Sequence, residues 1–120
     1  MTESPKLIYR LIAREAWQQA EVDGHFAGSE HDVRDGFLHF STAAQLRETA
    51  AKHYAGAENL LVLHVDVSAL PSPLRWEPSR NDELFPHLYG PLPINTVRRI
   101  DPLPLGADGQ HSFDAVPLVP

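Results

Sequence analysis

The stretch from Asn59 to Val67, NLLVLHVDV, limits the possible folds of this chain more than any other. Side chains alternate across a strand. Leu61, Leu63, Val65 and Val67 therefore share one face, and Leu60, Val62, His64 and Asp66 share the other. Both faces are apolar over most of their length, so the segment predicts a central strand with core packed against each side. It is much shorter than the ~20 apolar residues that cross a bilayer, and no other run reaches that length. A chain of 120 residues fits one domain and can bury a core without staples. It contains no cysteine, which removes disulfides, thiolate metal sites and cysteine nucleophiles. The N-terminal MTESPKLIYR has no apolar signal core, so a cytoplasmic location is expected.

The formal net charge is −6, and no basic cluster exceeds Arg98-Arg99. Duplex nucleic acid and acidic membranes are held mainly by basic patches, so neither is an expected partner. A single phosphate or other small anion still is. His64 and Asp66 share a strand face, but local spacing places no third ligand beside them. No metal is expected.

Asp35 to Tyr54, DGFLHFSTAAQLRETAAKHY, reads as a strand, a polar turn and a helix. Phe37, His39 and Ser41 point to one side of the strand, and Leu38 and Phe40 to the other. Thr42 is a good N-cap, and Gln45 follows at capping-box distance. Ala43, Leu46, Ala50 and Tyr54 continue at helical spacing to Gly56. A histidine, two hydroxyls and a helix N-terminus thus fall together, a setting that favours an anion.

Lys6 to Ile12 reads as the first strand. On it Arg10 lies between Ile8 and Ile12. Two readings of Arg10 stand side by side: a stem packed on apolar surface with its head in water, or a guanidinium held in a cleft for a phosphate or carboxylate. Ala13 to Val22 predicts a helix ended by Gly24, and Gly24 to Asp35 a loop in which His25 and His31 are surface residues. Leu74 to Glu77 is a brief strand cut by Pro78. Leu84 to Pro93, LFPHLYGPLP, places Phe85, His87 and Tyr89 among prolines. It predicts a rigid aromatic loop, suited to one wall of a pocket or to a cover over the core. Ile94 to Ile100 reads as the last strand. Asp101 to Pro120 is a proline-rich peripheral tail beyond a compact core at 6–100. The element order gives a single α+β domain with a curved, mixed sheet and two main short helices. Walker, GxGxxG, GxSxG and HExxH motifs are absent.

DGFLHFST, LVLHVDV, WE and FPHLYGPL together closely resemble the bacterial family called domain of unknown function 952, from Leu7 to about Ile100. A more distant resemblance is to ADP-ribosyltransferases of the diphtheria-toxin and poly-ADP-ribose-polymerase type. In those, a strand carrying His or Arg and a helix ending near Gly precede a strand with Gly, an aromatic or His, Phe and a small hydroxyl residue. Arg10 (or Tyr9) matches the first element. GFLHFSTAAQLRETAAKHY matches the nicotinamide-side strand and helix, with His39 where Tyr is usual. The resemblance implies two small sheets clamping NAD as substrate. It also implies a later glutamate, for which Glu77, Glu83 and His87 are the candidates.

On these readings His39, Glu77 and His87 are candidate catalytic residues. Arg10, His39, Ser41, Thr42, Phe85, His87 and Tyr89 are candidate ligand contacts. The expected function is a cleft for a nucleotide or anionic metabolite, with NAD the implied substrate. The alternative is a ligand-binding or protein-interaction module without chemistry.

Overall fold

The computed structural model describes residues 5–119. Residues 1–4, part of the segment read for a targeting signal, and residue 120 at the end of the tail lie outside the described residues. In chain order the elements are β1 (Leu7–Ala13), α1 (Arg14–Asp23), β2 (His25–Phe26), α2 (Glu30–Asp35), β3 (Leu38–His39), α3 (Leu46–His53), β4 (Leu60–Asp66), β5 (Arg75–Pro78), β6 (Leu84–Leu88), β7 (Leu92–Pro93) and β8 (Val97–Leu103).

β4 is the central strand of the sheet β1-β4-β8 and is buried from Leu60 to Val65. Ile8, Ile12, Leu61, Leu63 and Val65 face one core with Trp17, Phe40 and Leu88. Tyr9, Leu11, Leu60 and Val62 face a second core with Leu46, Ala50, Phe113 and Val116. The two-sided pattern of NLLVLHVDV is satisfied by these two cores. β1 pairs with β4 in unbroken antiparallel register from Leu7↔Asp66 to Ala13↔Leu60. The other sheets are β2-β7 and β3-β6-β5, again antiparallel. In place of one mixed sheet, the α+β domain thus holds several small antiparallel ones. No helix among the described residues is long and apolar enough to cross a membrane.

Four segments differ from expectation. The loop at Gly24 to Asp35 contains β2 and the six-residue helix α2. A capping box starts α2: Ser29 bonds the Asp32 amide, and the Asp32 carboxylate accepts from the Ser29 amide. Gly36, at φ 87°, ends it. The proline-rich LFPHLYGPLP is not a loop at its start, because β6 is the middle strand of its sheet. Pro86 is tolerated there because β3 is two residues long. Phe40 N donates to the Pro86 carbonyl at 3.1 Å, the ladder ends, and no donor is asked of Pro86. Ile94–Thr96 forms a 3-10 turn, so the last strand starts at Val97 and runs on to Leu103.

The tail is the fourth difference. Phe113 and Val116 are buried in the second core, and Val119 N donates to the Tyr9 hydroxyl at 2.7 Å. The outer side of the β1-β4-β8 sheet carries Tyr9, Leu11 and Val62; Leu46 and Ala50 of α3 cover part of it, and Phe113 and Val116 of the tail complete the cover.

Candidate functional site

The site is built around Asp32, 2% exposed, on the inner side of α2. Arg10 Nη1 and Nη2 donate to its Oδ1 and Oδ2 at 2.7 and 2.8 Å, a bidentate pair. The Ser29 amide and hydroxyl donate to Oδ2 at 2.7 Å each. The His39 amide and Nδ1 donate to Oδ1 at 3.0 and 2.7 Å. Burial opposes the Asp32 charge. The bonds from His39 and Arg10, with the Arg10 charge beside them, outweigh it and hold the carboxyl far below the ordinary carboxylate range. This approach of α2 to β3 needs Gly28. At φ 115° it occupies a region side chains rarely adopt, and a Cβ there would lie 2.9 Å from Asp32 Cβ.

Arg10 is therefore occupied. Besides Asp32 and Ser29, its Nη1 donates to the His39 carbonyl at 3.0 Å and its Nε to the Leu11 carbonyl at 2.9 Å. It lines the cleft, but its head neither reaches water nor offers donors to a ligand. It holds Asp32, and Asp32 holds His39.

A cleft of about 610 Å³ opens beside this network. Phe37, His39 and Ser41 all line it, while Leu38 packs into the first core and Phe40 lies in that core with an edge on the lining, so the polar side of β3 faces the cleft. His31, Asp35, His53, Arg80, Phe85 and His87 complete its working surface. His87 pairs with His39 in the β3–β6 register. Its Nδ1 donates to Glu77 Oε1 at 2.8 Å, and Tyr89 donates to the same oxygen at 2.8 Å. The His87 and Tyr89 bonds pull the Glu77 carboxyl below its usual range, and Glu77 in turn pushes the Tyr89 hydroxyl up. Two histidines thus face one cleft, each fixed at Nδ1 by a carboxylate.

The remaining expected residues have other employments. Ser41 Oγ lies 2.9 Å from Thr49 Oγ1. Thr42 and Gln45 form the reciprocal bonds expected, at 3.0 and 3.3 Å, but these close a turn ahead of the helix: α3 starts at Leu46 with Gln45, not Thr42, as its N-cap residue, and Leu46 N donates to the Thr42 carbonyl. Three amides at that helix end are consequently satisfied internally, and Thr42 stands outside the cleft lining. Phe85 lines the cleft, whereas Tyr89 stands beside it with Arg75 over its ring at 4.5 Å. Glu77 stands behind His87, outside the lining, and Glu83 is exposed away from it. His64 is buried against Asp101 at 2.7 Å, and Asp66 accepts from Ser68 and Arg98. These two do not converge.

Sequence reasoning missed Asp32, Asp35, His31, His53 and Arg80. For the α2 residues a signal existed: Ser29-x-x-Asp32 followed by Gly36 marks a short capped helix, and His31 and Asp35 are one turn apart on it. Arg80 had none. It sits before Asn81 and Asp82, both at positive φ (58° and 59°), in a strained turn at the cleft rim. Its guanidinium packs over Phe85 at 4.8 Å. Glu48 Oε1 lies 3.2 Å from its Nε, yet out of hydrogen-bonding alignment, so that buried N–H donates to no acceptor. Burial, and the Arg80 charge after it, push the His53 pKa down.

Fold and site together define a small α+β protein with a histidine-lined cleft between its sheets. The family described as Protein of unknown function (DUF952) matches residues 11–100, and the chain belongs to that family. It is similar to protein CC0527 from Caulobacter crescentus. The crystal structure of that protein is 43% identical, with a TM-score of 0.85 over 91% of this chain and 96% of that one. The solution structure of the same protein is 42% identical, with a TM-score of 0.81 over 92% and 96%. No curated protein matches the chain.

Proposed function

We propose that the cleft binds a phosphorylated metabolite with a planar ring, of nucleotide type, and that NAD is the first ligand to test. One observation carries this reading. Arg80 lines the cleft with a side chain only 12% exposed and a buried Nε–H that donates to nothing. Glu48 balances the Arg80 charge from 3.2 Å and Nη2 reaches Thr49 Oγ1 at 3.4 Å, so the unaligned Nε–H is the donor left for an added anion, and phosphate suits the fork geometry of a guanidinium. The Phe37 and His87 rings stack at 4.1 Å with 28° between planes, a platform for a base or nicotinamide.

In the transferase version, the nicotinamide–ribose bond breaks and nicotinamide leaves with the bonding pair. An acceptor then attacks the ribosyl cation, and His39 or His87 takes the acceptor's proton. Asp32 and Glu77 are positioning residues for these imidazoles. In the module version the same contacts bind the ligand without bond breaking.

Calorimetric titration with NAD, ADP-ribose and inorganic phosphate tests the reading. Saturable binding should weaken at least about tenfold in Arg80→Ala, the effect of losing a charged hydrogen bond. Binding that is absent, or unchanged in that variant, defeats it. Nicotinamide release that disappears in His39→Ala selects the transferase version. Binding without release selects the module.

A further inference from the structure

We infer that His31, Asp35 and His39 form a binding site for one divalent transition-metal ion, of the zinc class, on the α2 side of the cleft. The three offer ligand atoms that all lie within 4.8 Å of one another. His39 Nε2 is 2.9 Å and His31 Nε2 3.4 Å from Asp35 Oδ2. Ligand atoms around a tetrahedral ion at about 2.0–2.1 Å from each donor fall about 3.3 Å apart, so little closure is needed. The donor set, two imidazoles and one carboxylate, suits a borderline ion better than magnesium or calcium, which prefer oxygen.

The support behind the ligands is the second observation. His39 gives its Nδ1–H to Asp32, which leaves Nε2 as the nitrogen turned to Asp35. A metal-bound histidine needs that carboxylate–histidine arrangement to fix its tautomer and orientation. Asp32 is itself locked by Arg10 and Ser29. α2 does both jobs. Its inner side carries Asp32, and its cleft side carries His31 and Asp35 one turn apart. The first ligand shell is open to the cleft, since His31 and Asp35 side chains are 54% and 32% exposed. An ion held by three protein groups there keeps a position for water or a ligand oxygen, as catalytic rather than structural sites do. One contact must yield. Arg34 Nη2 meets His31 Nδ1 at 2.6 Å, and binding through Nε2 requires Nδ1 to carry the proton instead. Arg34 also donates Nε–H to Asp35 Oδ1 at 3.3 Å, which leaves Oδ2 to the ion, and at 67% exposed its Nη2 can turn from His31 into water.

The inference does not depend on the nucleotide reading, although an ion on His39 Nε2 takes the lone pair that imidazole would need as a base and leaves that role to His87; its test uses the metal alone. The full chain, freed of metal by chelation, is titrated with Zn²⁺ by calorimetry and with Co²⁺ by visible absorption. One equivalent should bind with a Kd tighter than about 10 µM, and Co²⁺ should show the intense bands of a low-coordinate site. Asp35→Asn and His31→Gln, both at exposed positions, should each weaken binding at least about tenfold. His25→Gln, an exposed histidine outside the cleft, should not. Weaker binding by the wild type, or affinity unchanged in either ligand variant, overturns the site. Circular dichroism of each variant separates lost ligation from lost fold.

Discussion

His39 with Asp32 and His64 with Asp101 are the same chemical pair at the same distance, 2.7 Å, in two regions of the molecule. His64 sits in β4 with 2% of its surface exposed, edge-on to Tyr9 at 5.0 Å between ring centres. Its carboxylate is shared with Arg99, which donates to Asp101 at 2.8 and 3.1 Å. His39 is on a two-residue strand at the rim of the cleft, 27% exposed, with its second nitrogen turned to Asp35. A carboxylate beside an imidazole does not by itself mark chemistry. What differs is the setting: the His64 ring is buried in β4 against Tyr9, whereas the second nitrogen of His39 is turned to Asp35 at the cleft. Burial pushes the His64 pKa down against the raising effect of Asp101, with the Arg99 charge assisting. It therefore stays neutral and donates Nε2–H to Asp101.

The strongest way to break the comparison is to remove the carboxylate on the cleft side. Asp32→Ala strands the buried Arg10 guanidinium, and the expected loss of stability is about 3–5 kcal/mol in urea unfolding. A loss under about 1 kcal/mol would mean that Arg10 finds water, and that the network is not the anchor of α2.

The core pair should cost less and leave the cleft alone. His64→Gln should destabilise by about 1–3 kcal/mol with NAD and Zn²⁺ affinities unchanged. It should also alter the pH response. The unfolded chain takes a proton on His64 near its ordinary value, whereas the folded chain resists it. Wild-type stability from this residue is thus complete above about pH 6.5 and falls as the pH drops below it. Urea midpoints measured from about pH 7.5 downward should fall less steeply in His64→Gln than in wild type.

Glu77→Gln sharpens the comparison at the smallest scale. It leaves His87 in place but removes the charge behind it. Ligand affinity should drop about fivefold while the thermal midpoint barely moves. Equal affinity would place Glu77 with the packing of Tyr89 rather than with the cleft.

The residues also show what a one-dimensional pattern can carry. The faces of β1 and β4, the buried Trp17 and Ala20 of α1 and the reciprocal Thr42–Gln45 bonds were all legible, because each depends on neighbours within a turn or on strict alternation. β6 was obscured by Pro86, whose exclusion from inner strands holds only where a neighbour requires its N–H. α2 was obscured by length. Its six residues bury one carboxylate, and their one apolar side chain, Val33, is exposed, so there is no apolar period to read.

The sequence by itself determined the α+β class, the two-sided central strand and the polar side of β3, because burial and alternation act residue by residue along the chain. Which way that polar side faces was decided by tertiary structure alone. So was the closing of the second core by Phe113 and Val116, and so was the turning of Arg10 from ligand contact to scaffold. Arg10 meets Asp32 from 22 residues away, and Arg80 in the turn after β5 meets Glu48 on α3. Partners at such separations are chosen by the geometry of a finished fold, in which a buried charge must find its counter-charge wherever the chain brings one close.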